Sequence, residues 1–253
     1  MQIFVPETAL PYGFRNEPLG THTSRTMMLR EISALFAASD AQTSFEAMRQ
    51  LVVEENITLK DTLSTRKETF RRLSELYGLR SDIILYRALR DLWDANAIEQ
   101  PLLAILCALA RDPLLRVTAP FILEQPEGTA ITRFQLEEQA RAAYPDRYRP
   151  GTLLGLGRRT ISSWQQSGHL HGRLNKVRSH TSSGPASAAY ALLLGYLCDQ
   201  RGTLLFDTLW AKTLDTSTVN LDALAFAASQ RGWLEYRRLG DVCEIRFARL
   251  MRP

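Results

Sequence analysis

Apolar residues recur at intervals of three and four along most of the chain, which is the spacing of amphipathic helices. In residues 24–38, Met28, Ile32 and Leu35 share one helical face, and Ser44 is a suitable N-cap for the next helix. The same pattern predicts helices over residues 44–55, 60–77, 82–95, 102–110, 115–124, 132–143, 152–167, 186–200, 204–212 and 219–230.

Two segments alternate apolar and polar residues instead and predict β-hairpins. One is the basic stretch 169–179, and the other covers residues 232–250 around a Leu239-Gly240-Asp241 turn. Each follows a helix that stops at a glycine, which is the layout of a winged helix. The sequence therefore predicts a mainly α fold, a compact helical protein with helix-turn-helix or winged-helix elements and one or two small β-hairpin wings.

Proline and glycine positions suggest three parts of the chain. Residues 1–22 are predicted to form an irregular N-terminal arm, residues 23–125 a helical N-terminal half with a helix-turn-helix, and residues 126–253 a C-terminal half with winged-helix-like elements. Pro113, Pro120 and Pro126 mark the junction between the halves.

The most apolar stretches, residues 101–110 and 186–198, fall short of the roughly 20 residues that span a bilayer and predict buried helices. The N-terminus lacks a basic segment followed by an apolar run, so we expect no signal peptide. Cys107, Cys198 and Cys243 are far apart among apolar residues, which indicates reduced core thiols. We therefore expect a cytoplasmic protein.

Positive charge is concentrated in one segment. The formal net charge is +4, yet residues 141–183 contain eight Lys and Arg residues against Asp146 as the one acid. This excess indicates a polyanionic partner, and the alternative is a solvated basic surface.

The helix predicted over residues 152–167 is the strongest candidate for binding that partner. No acid appears on its polar side, and its apolar side contains Leu153, Leu154, Leu156, Ile161 and Trp164. Arginine and glutamine recognise base edges, and serine suits bases or phosphates. Gly155 and Gly157 would allow close approach to a phosphate or mark a late helix start. The candidate DNA-binding residues here are Arg158, Arg159, Ser162, Ser163, Gln165 and Gln166, joined by Arg173, Lys176 and Arg178 on the following hairpin.

A second candidate is the helix-turn-helix predicted over residues 44–78. Glu68 and Glu75 share its exposed face and weaken the case. Its outward-facing residues are predicted to be Ser64, Thr65, Lys67, Arg71 and Arg72, with Leu63, Phe70, Leu73 and Tyr77 facing the core.

A third segment, residues 204–247, has a winged-helix layout, but its helix 219–230 is mostly apolar. We expect that helix to pack against protein, so a structural role is favoured.

Enzymatic functions find little support. His169 and His171 would point the same way on a strand, but no third metal ligand lies nearby in the sequence. A phosphate-binding glycine loop, a nucleophile elbow and a nuclease-type carboxylate cluster are all missing from the sequence. We therefore expect no catalytic residues, cofactor or metal.

At this level the chain resembles the BrxA family of the bacteriophage exclusion (BREX) defence systems. The resemblance rests on TSRTMMLREISALF (23–36), the Ser-Thr-Arg-Lys helix (64–67) followed by Arg-Arg-Leu, RPGTLLGLGRRTISSWQQSGHL (149–170) and AYALLLGYLCDQRG (189–202). It implies a mostly helical protein that binds duplex DNA through two helix-turn-helix elements beside basic surfaces. By this resemblance the elements fall on residues 64–72 and 158–166. The family has also been likened to the NusB antitermination fold, which would point to RNA.

The sequence thus predicts a non-catalytic double-stranded DNA-binding accessory protein of a bacterial phage-defence system, monomeric and without membrane contact. Two alternatives stay open. One is a NusB-like RNA-binding antitermination factor, and the other is an adaptor that docks a larger enzyme of the system.

Overall fold

The computed structural model describes residues 5–18, 20–240 and 242–252. This part of the chain is mainly helical with two small antiparallel sheets, as the sequence predicts. None of the described helices combines the length and apolarity needed to cross a bilayer. The α-helices are α1 (Leu29–Ala37), α2 (Phe45–Val53), α3 (Leu63–Tyr77), α4 (Ile84–Trp93), α5 (Gln100–Arg111), α6 (Pro113–Arg116), α7 (Ala119–Glu124), α8 (Arg133–Ala143), α9 (Pro150–Gln166), α10 (Pro185–Leu197), α11 (Leu209–Lys212) and α12 (Thr218–Gln230).

Local side-chain chemistry sets most helix boundaries. The Ser44 and Thr62 side chains accept hydrogen bonds from backbone N–H groups in the first turns of α2 and α3. Gly78 ends α3 in the left-handed conformation, with φ of 76°. Thr132 and Gln135 form a reciprocal capping box at the start of α8.

The two sheets contain five strands. In the first, β1 (Ala130–Ile131), β2 (Leu170–His171) and β3 (Lys176–Arg178) pair in the order β1-β3-β2. The second is the C-terminal hairpin of β4 (Glu235–Leu239) and β5 (Val242–Arg246). Asp241, which belongs to the predicted turn of that hairpin, lies outside the described residues.

Helices α5 and α10 occupy the centre of the core. Residues 102–111 of α5 are all buried, as are residues 186–195 of α10. The larger cluster of buried apolar side chains extends from Val5 to Leu250 and draws on both predicted halves. A smaller one is formed by Leu114, Val117, Ala140, Leu153 and Leu156. The three thiols are free, with Cys107 and Cys243 buried and Cys198 partly buried.

The N-terminal arm is more ordered than predicted. It contains 3-10 helices at Glu7–Tyr12 and Thr21–Thr23. Val5, Ala9 and Phe14 are buried in the core, because the arm covers apolar surface. Residues 1–4 and 19 of the predicted arm lie outside the described residues.

Several predicted elements need correction. α1 begins at Leu29 instead of residue 24, because Met28 is in the left-handed conformation and the preceding segment hydrogen-bonds to α9. The helix predicted over 204–212 is a 3-10 helix at Gly202–Asp207 followed by α11. Leu63 was predicted to face the core, but 48% of its surface is exposed at the first turn of α3.

Candidate nucleic-acid interface

A winged-helix unit is formed by consecutive elements β1, α8, α9, β2 and β3. Helices α8 and α9 pack closely at Gly157, where an added Cβ would lie 2.6 Å from the Arg133 carbonyl oxygen. The turn after β2 leads back into β3, so a two-stranded wing follows α9 directly. Gly157 thus serves helix packing, and it and Gly155 lie inside α9, which excludes a late helix start.

The apolar side of α9 anchors it to the core as predicted. Leu153, Leu156, Ile161 and Trp164 are buried, and Leu154 is half-buried. The Trp164 indole N–H donates to Thr118 Oγ1 at 2.8 Å, which satisfies the one polar atom of that side chain. The orientation of α9 is fixed, and its opposite side faces the N-terminal segment and solvent.

Ser163 is not available to a nucleic acid, contrary to the sequence prediction. It is fully buried, and its hydroxyl lies within hydrogen-bonding distance of three protein groups. The Met27 N–H donates to Ser163 Oγ at 2.8 Å, His22 Nε2 lies at 2.8 Å, and the Arg159 carbonyl oxygen lies at 2.9 Å. The segment before α1 covers this side of α9, so Ser163 is withdrawn from the candidate set.

Asp112, His22 and Ser163 have the connectivity of a serine hydrolase triad. Asp112 Oδ2 lies 2.7 Å from His22 Nδ1, and it also accepts from the His22 backbone N–H. Burial opposes ionisation of Asp112, but the contacts with His22 hold the pKa of this carboxyl below its ordinary value. All three side chains are buried, so in this structure the arrangement fastens the N-terminal segment to α9 and offers no access to a substrate.

The side chains of Arg159 and Gln166 each form a hydrogen bond with the backbone of the N-terminal segment. Arg159 Nη1 donates to the Thr23 carbonyl at 2.7 Å, and Gln166 Oε1 accepts from the Leu29 N–H at 3.1 Å. The guanidinium of Arg159 lies against Gly155, where an added Cβ would come within 2.6 Å of it. Burial and the neighbouring cations Arg25 and Arg158 lower the pKa of Arg159. The positive charges of Arg158, Arg159 and Arg25 therefore lie close enough to affect one another.

The remaining α9 candidates reach solvent. Arg158 is exposed, and Ser162 and Gln165 are half-buried. Gln165 Nε2 donates to the Gly172 carbonyl at 3.1 Å, which ties the base of the wing to α9. Ser162 Oγ accepts only a long hydrogen bond from Gln166 Nε2, at 3.4 Å, and Arg158 is in none of the hydrogen bonds or ion pairs found in the described part of the chain.

The three wing residues that were predicted to contact DNA differ in their exposure. Arg173 is exposed, and Lys176 is half-buried with Nζ donating to the carbonyls of Gly172 and Arg173. Arg178, in contrast, is 2% exposed, and its guanidinium forms a bidentate ion pair with Asp215. Because this pair lies under the wing, Arg178 is a structural residue and is withdrawn.

Three cations that the site prediction omitted belong to the same region. Arg147 and Arg149 are exposed just before α9, and Arg25 approaches it from the N-terminal segment. The first two are part of the basic segment, and a signal was available because no acid lies between Asp146 and Asp199. Arg25 could not be found from the sequence. We call Arg25, Arg147, Arg149, Arg158, Arg159, Arg173 and Lys176 the basic α9 surface.

Most acids near this surface are paired with other arginines, whereas Asp146, beside Arg147, is exposed and is in none of the ion pairs found in the described part of the chain. The arginine ion pairs described for the winged-helix unit join Arg133 to Glu137, Arg141 to Glu138 and Arg178 to Asp215. In the described part of the chain, the ion pairs found include none made by a member of the basic α9 surface. Its charge is therefore available to an anionic partner.

The N-terminal helix-turn-helix candidate is electrostatically compensated. Arg71 and Arg72 each pair with both Glu68 and Glu75 across α3. The hydrogen bond from Arg71 and the positive charge of Arg72 lower the pKa of Glu68 to about 2. Ser64 and Lys67 are exposed, and Thr65 is half-buried beside Thr62.

Two arginines of the C-terminal hairpin also form ion pairs within the protein. Arg238 pairs with Asp222 of α12, and Arg246 pairs with Glu244. Leu221, Ala225 and Ala228 are the buried residues of α12.

The side chains of His169 and His171 do not point the same way, contrary to the sequence prediction. His169 is fully buried and contacts Ser167 Oγ and the Thr213 carbonyl, whereas His171 is exposed on β2. Burial lowers the pKa of His169 to about 4. Among the described residues, no group of three or more His, Cys, Asp or Glu side chains is arranged to hold a metal ion.

A scan of protein-family models finds no match to this chain, and no curated protein is significantly similar to it. Function is therefore inferred from the geometry and charge of the site itself.

Proposed function

We propose that this protein binds double-stranded DNA, without catalysing a reaction on it, through α9 and the wing that follows. The observation that carries the proposal is the basic α9 surface, which places seven cations around one winged-helix unit whose neighbouring acids, apart from Asp146, are paired with other residues. A helix of this kind fits the major groove, and exposed arginines beside it contact phosphates.

The ranking of the two helix-turn-helix candidates rests on charge compensation. Arg71 and Arg72 would have to leave Glu68 and Glu75 before contacting phosphates. Arg158 and Arg173 need break no ion pair found in the described part of the chain. We infer that the winged-helix unit supplies most of the affinity and that α3 contributes weakly.

The resemblance to the BrxA family extends this proposal to a biological role. We propose an accessory DNA-binding protein of a bacterial phage-defence system, acting in the cytoplasm as a monomer. Because phosphate contacts dominate the surface, sequence preference is expected to be weak.

A salt titration of binding tests the proposal. Fluorescence anisotropy with duplex DNA, duplex RNA and single-stranded DNA of the same sequence is measured from low to high salt. We expect duplex DNA to bind at micromolar concentration or below, with affinity falling steeply as salt rises.

The other outcomes select the alternatives. Preference for RNA favours the antitermination role. Absence of binding at low salt overturns the nucleic-acid proposal and favours the adaptor.

A further inference from the structure

Two large apolar side chains are exposed beside the basic α9 surface. Phe134, at the start of α8, is 61% exposed, and Leu174, at the wing tip, is 92% exposed. Together with the side chains of Ile131 and Ile161, they line one open cavity of about 360 Å³ between the wing and α8. We call this the wing cavity.

The rim of the wing cavity is positively charged. Arg133, Arg158 and Lys176 line it, and none of its lining residues is acidic. The Arg133 guanidinium lies over the Phe134 ring at 4.7 Å from the ring centre, and its nearest acid is Glu137 at 3.9 Å. Apolar walls and a cationic rim are complementary to a flat, weakly polar group that carries a negative charge. A nucleobase attached to its phosphate has this chemistry.

The wing cavity is continuous with the proposed duplex-binding surface, because Arg158 belongs to both. A base inside a duplex is stacked and paired, so it cannot enter such a cavity without unstacking. An unpaired nucleotide at the end of a duplex has no base pair to lose, so the cost is smallest there.

We propose that the wing cavity binds the base of an unpaired nucleotide next to the duplex held by α9, with Phe134 and Leu174 as its walls. This inference rests on the proposed duplex binding. It predicts that the protein prefers duplex ends with a single-stranded overhang to blunt ends. Contact of a base with an aromatic side chain is worth roughly 1–3 kcal/mol, so the preference is expected to be about fivefold or more.

The test compares a blunt duplex with the same duplex carrying a short 5′ or 3′ overhang. Wild type is expected to prefer an overhang, and Phe134→Ser/Leu174→Ser is expected to lose that preference while keeping its affinity for the blunt duplex. The matched control is Phe226→Ser/Leu239→Ser, which changes a phenylalanine and a leucine that are 56% and 85% exposed on α12 and the C-terminal hairpin. It is expected to behave as wild type.

A 2-aminopurine base in the overhang reports on the cavity directly. Its fluorescence is expected to change when wild type binds and to stay constant with the Phe134/Leu174 variant. Should that double variant fail to fold in a melting experiment, Leu174→Ser alone is used, because its side chain is almost wholly exposed.

Equal affinity of wild type for blunt and overhang duplexes, or an unchanged preference in the Phe134/Leu174 variant, overturns the inference. If the blunt duplex does not bind but the overhang strand alone does, the duplex proposal fails and the inference fails in the form stated, because α9 holds no duplex; only the contact of a base with the wing cavity is then retained. If no DNA binds, both fail.

Discussion

His22 Nε2 lies 2.8 Å from Ser163 Oγ, a contact between residues 141 positions apart in the sequence. It joins the N-terminal segment to the last turn of α9. The Met27 N–H shares the same oxygen, and Arg159 reaches back to the Thr23 carbonyl. The segment before α1 therefore holds α9 in place and brings Arg25 to it.

Replacement of Ser163 by alanine tests this fastening. Loss of the hydroxyl leaves the buried Met27 N–H and His22 Nε2 without a partner, so the free energy of unfolding is expected to fall by about 1–3 kcal/mol. Ser162→Ala is the matched control, since the neighbouring hydroxyl is half-exposed, and it is expected to change stability little. Chemical denaturation of both variants gives the comparison, and equal stabilities would contradict the fastening role.

Substitution can rank the contributions of α9 and α3 to duplex binding. Arg158→Ala/Arg159→Ala is expected to weaken duplex binding more than Lys67→Ala/Arg71→Ala, because Arg71 is already paired with Glu68 and Glu75. Each lost phosphate contact flattens the log–log salt slope by roughly 0.9.

Circular dichroism must first show that both double variants are folded. Wild-type binding by the Arg158/Arg159 variant, with a loss in the other, would make α3 the main contact. If neither pair matters, the basic segment is only a solvated surface.

Two arginines of the wing are expected to separate binding from stability. Arg173→Ala removes an exposed cation, so it is expected to weaken binding without lowering the melting temperature. Arg178→Ala leaves the buried Asp215 carboxylate without its arginine partner and is expected to cost about 3 kcal/mol or more of stability. Melting curves beside anisotropy titrations check both, and the reverse pattern would return Arg178 to the interface.

Three glycines of α9 give a graded series. Gly157→Ala is expected to destabilise most, because the new Cβ meets the backbone of Arg133. At Gly155 it meets only the flexible end of Arg159, so Gly155→Ala is expected to shift that guanidinium and affect binding more than folding. Gly151 has open space around it, and Gly151→Ala is expected to be neutral or to stabilise by up to about 1 kcal/mol. Equal melting temperatures for the three variants would argue against close packing of α8 on α9.

Stability is expected to fall as the pH is lowered from 6.5 towards 4. His169 has its pKa lowered from 6.5 to about 4, with burial as the main cause. Between these values the unfolded chain binds a proton that the folded protein does not, so stability rises with pH across this window. Urea denaturation at several pH values measures the slope, and His169→Gln is expected to reduce it. An unchanged slope in a folded His169→Gln protein would assign the pH dependence to other groups.

The sequence by itself determined the helical architecture, the wing after Gly168 and the concentration of cations around α9. These features are local, since apolar spacing, caps and runs of like charge depend on near neighbours. Gly78 as a helix end and residues 102–110 as a buried helix were predicted for this reason, and the structure confirms them.

Only the tertiary structure decided which polar side chains of α9 and the wing are free. Ser163 and Arg178 look like their neighbours in the sequence, yet His22 and Asp215 engage them from distant parts of the chain. Arg25 joins the basic α9 surface for the same reason. The burial of a polar group depends on what packs over it, and a pattern within one helix contains no information about a segment more than a hundred residues away.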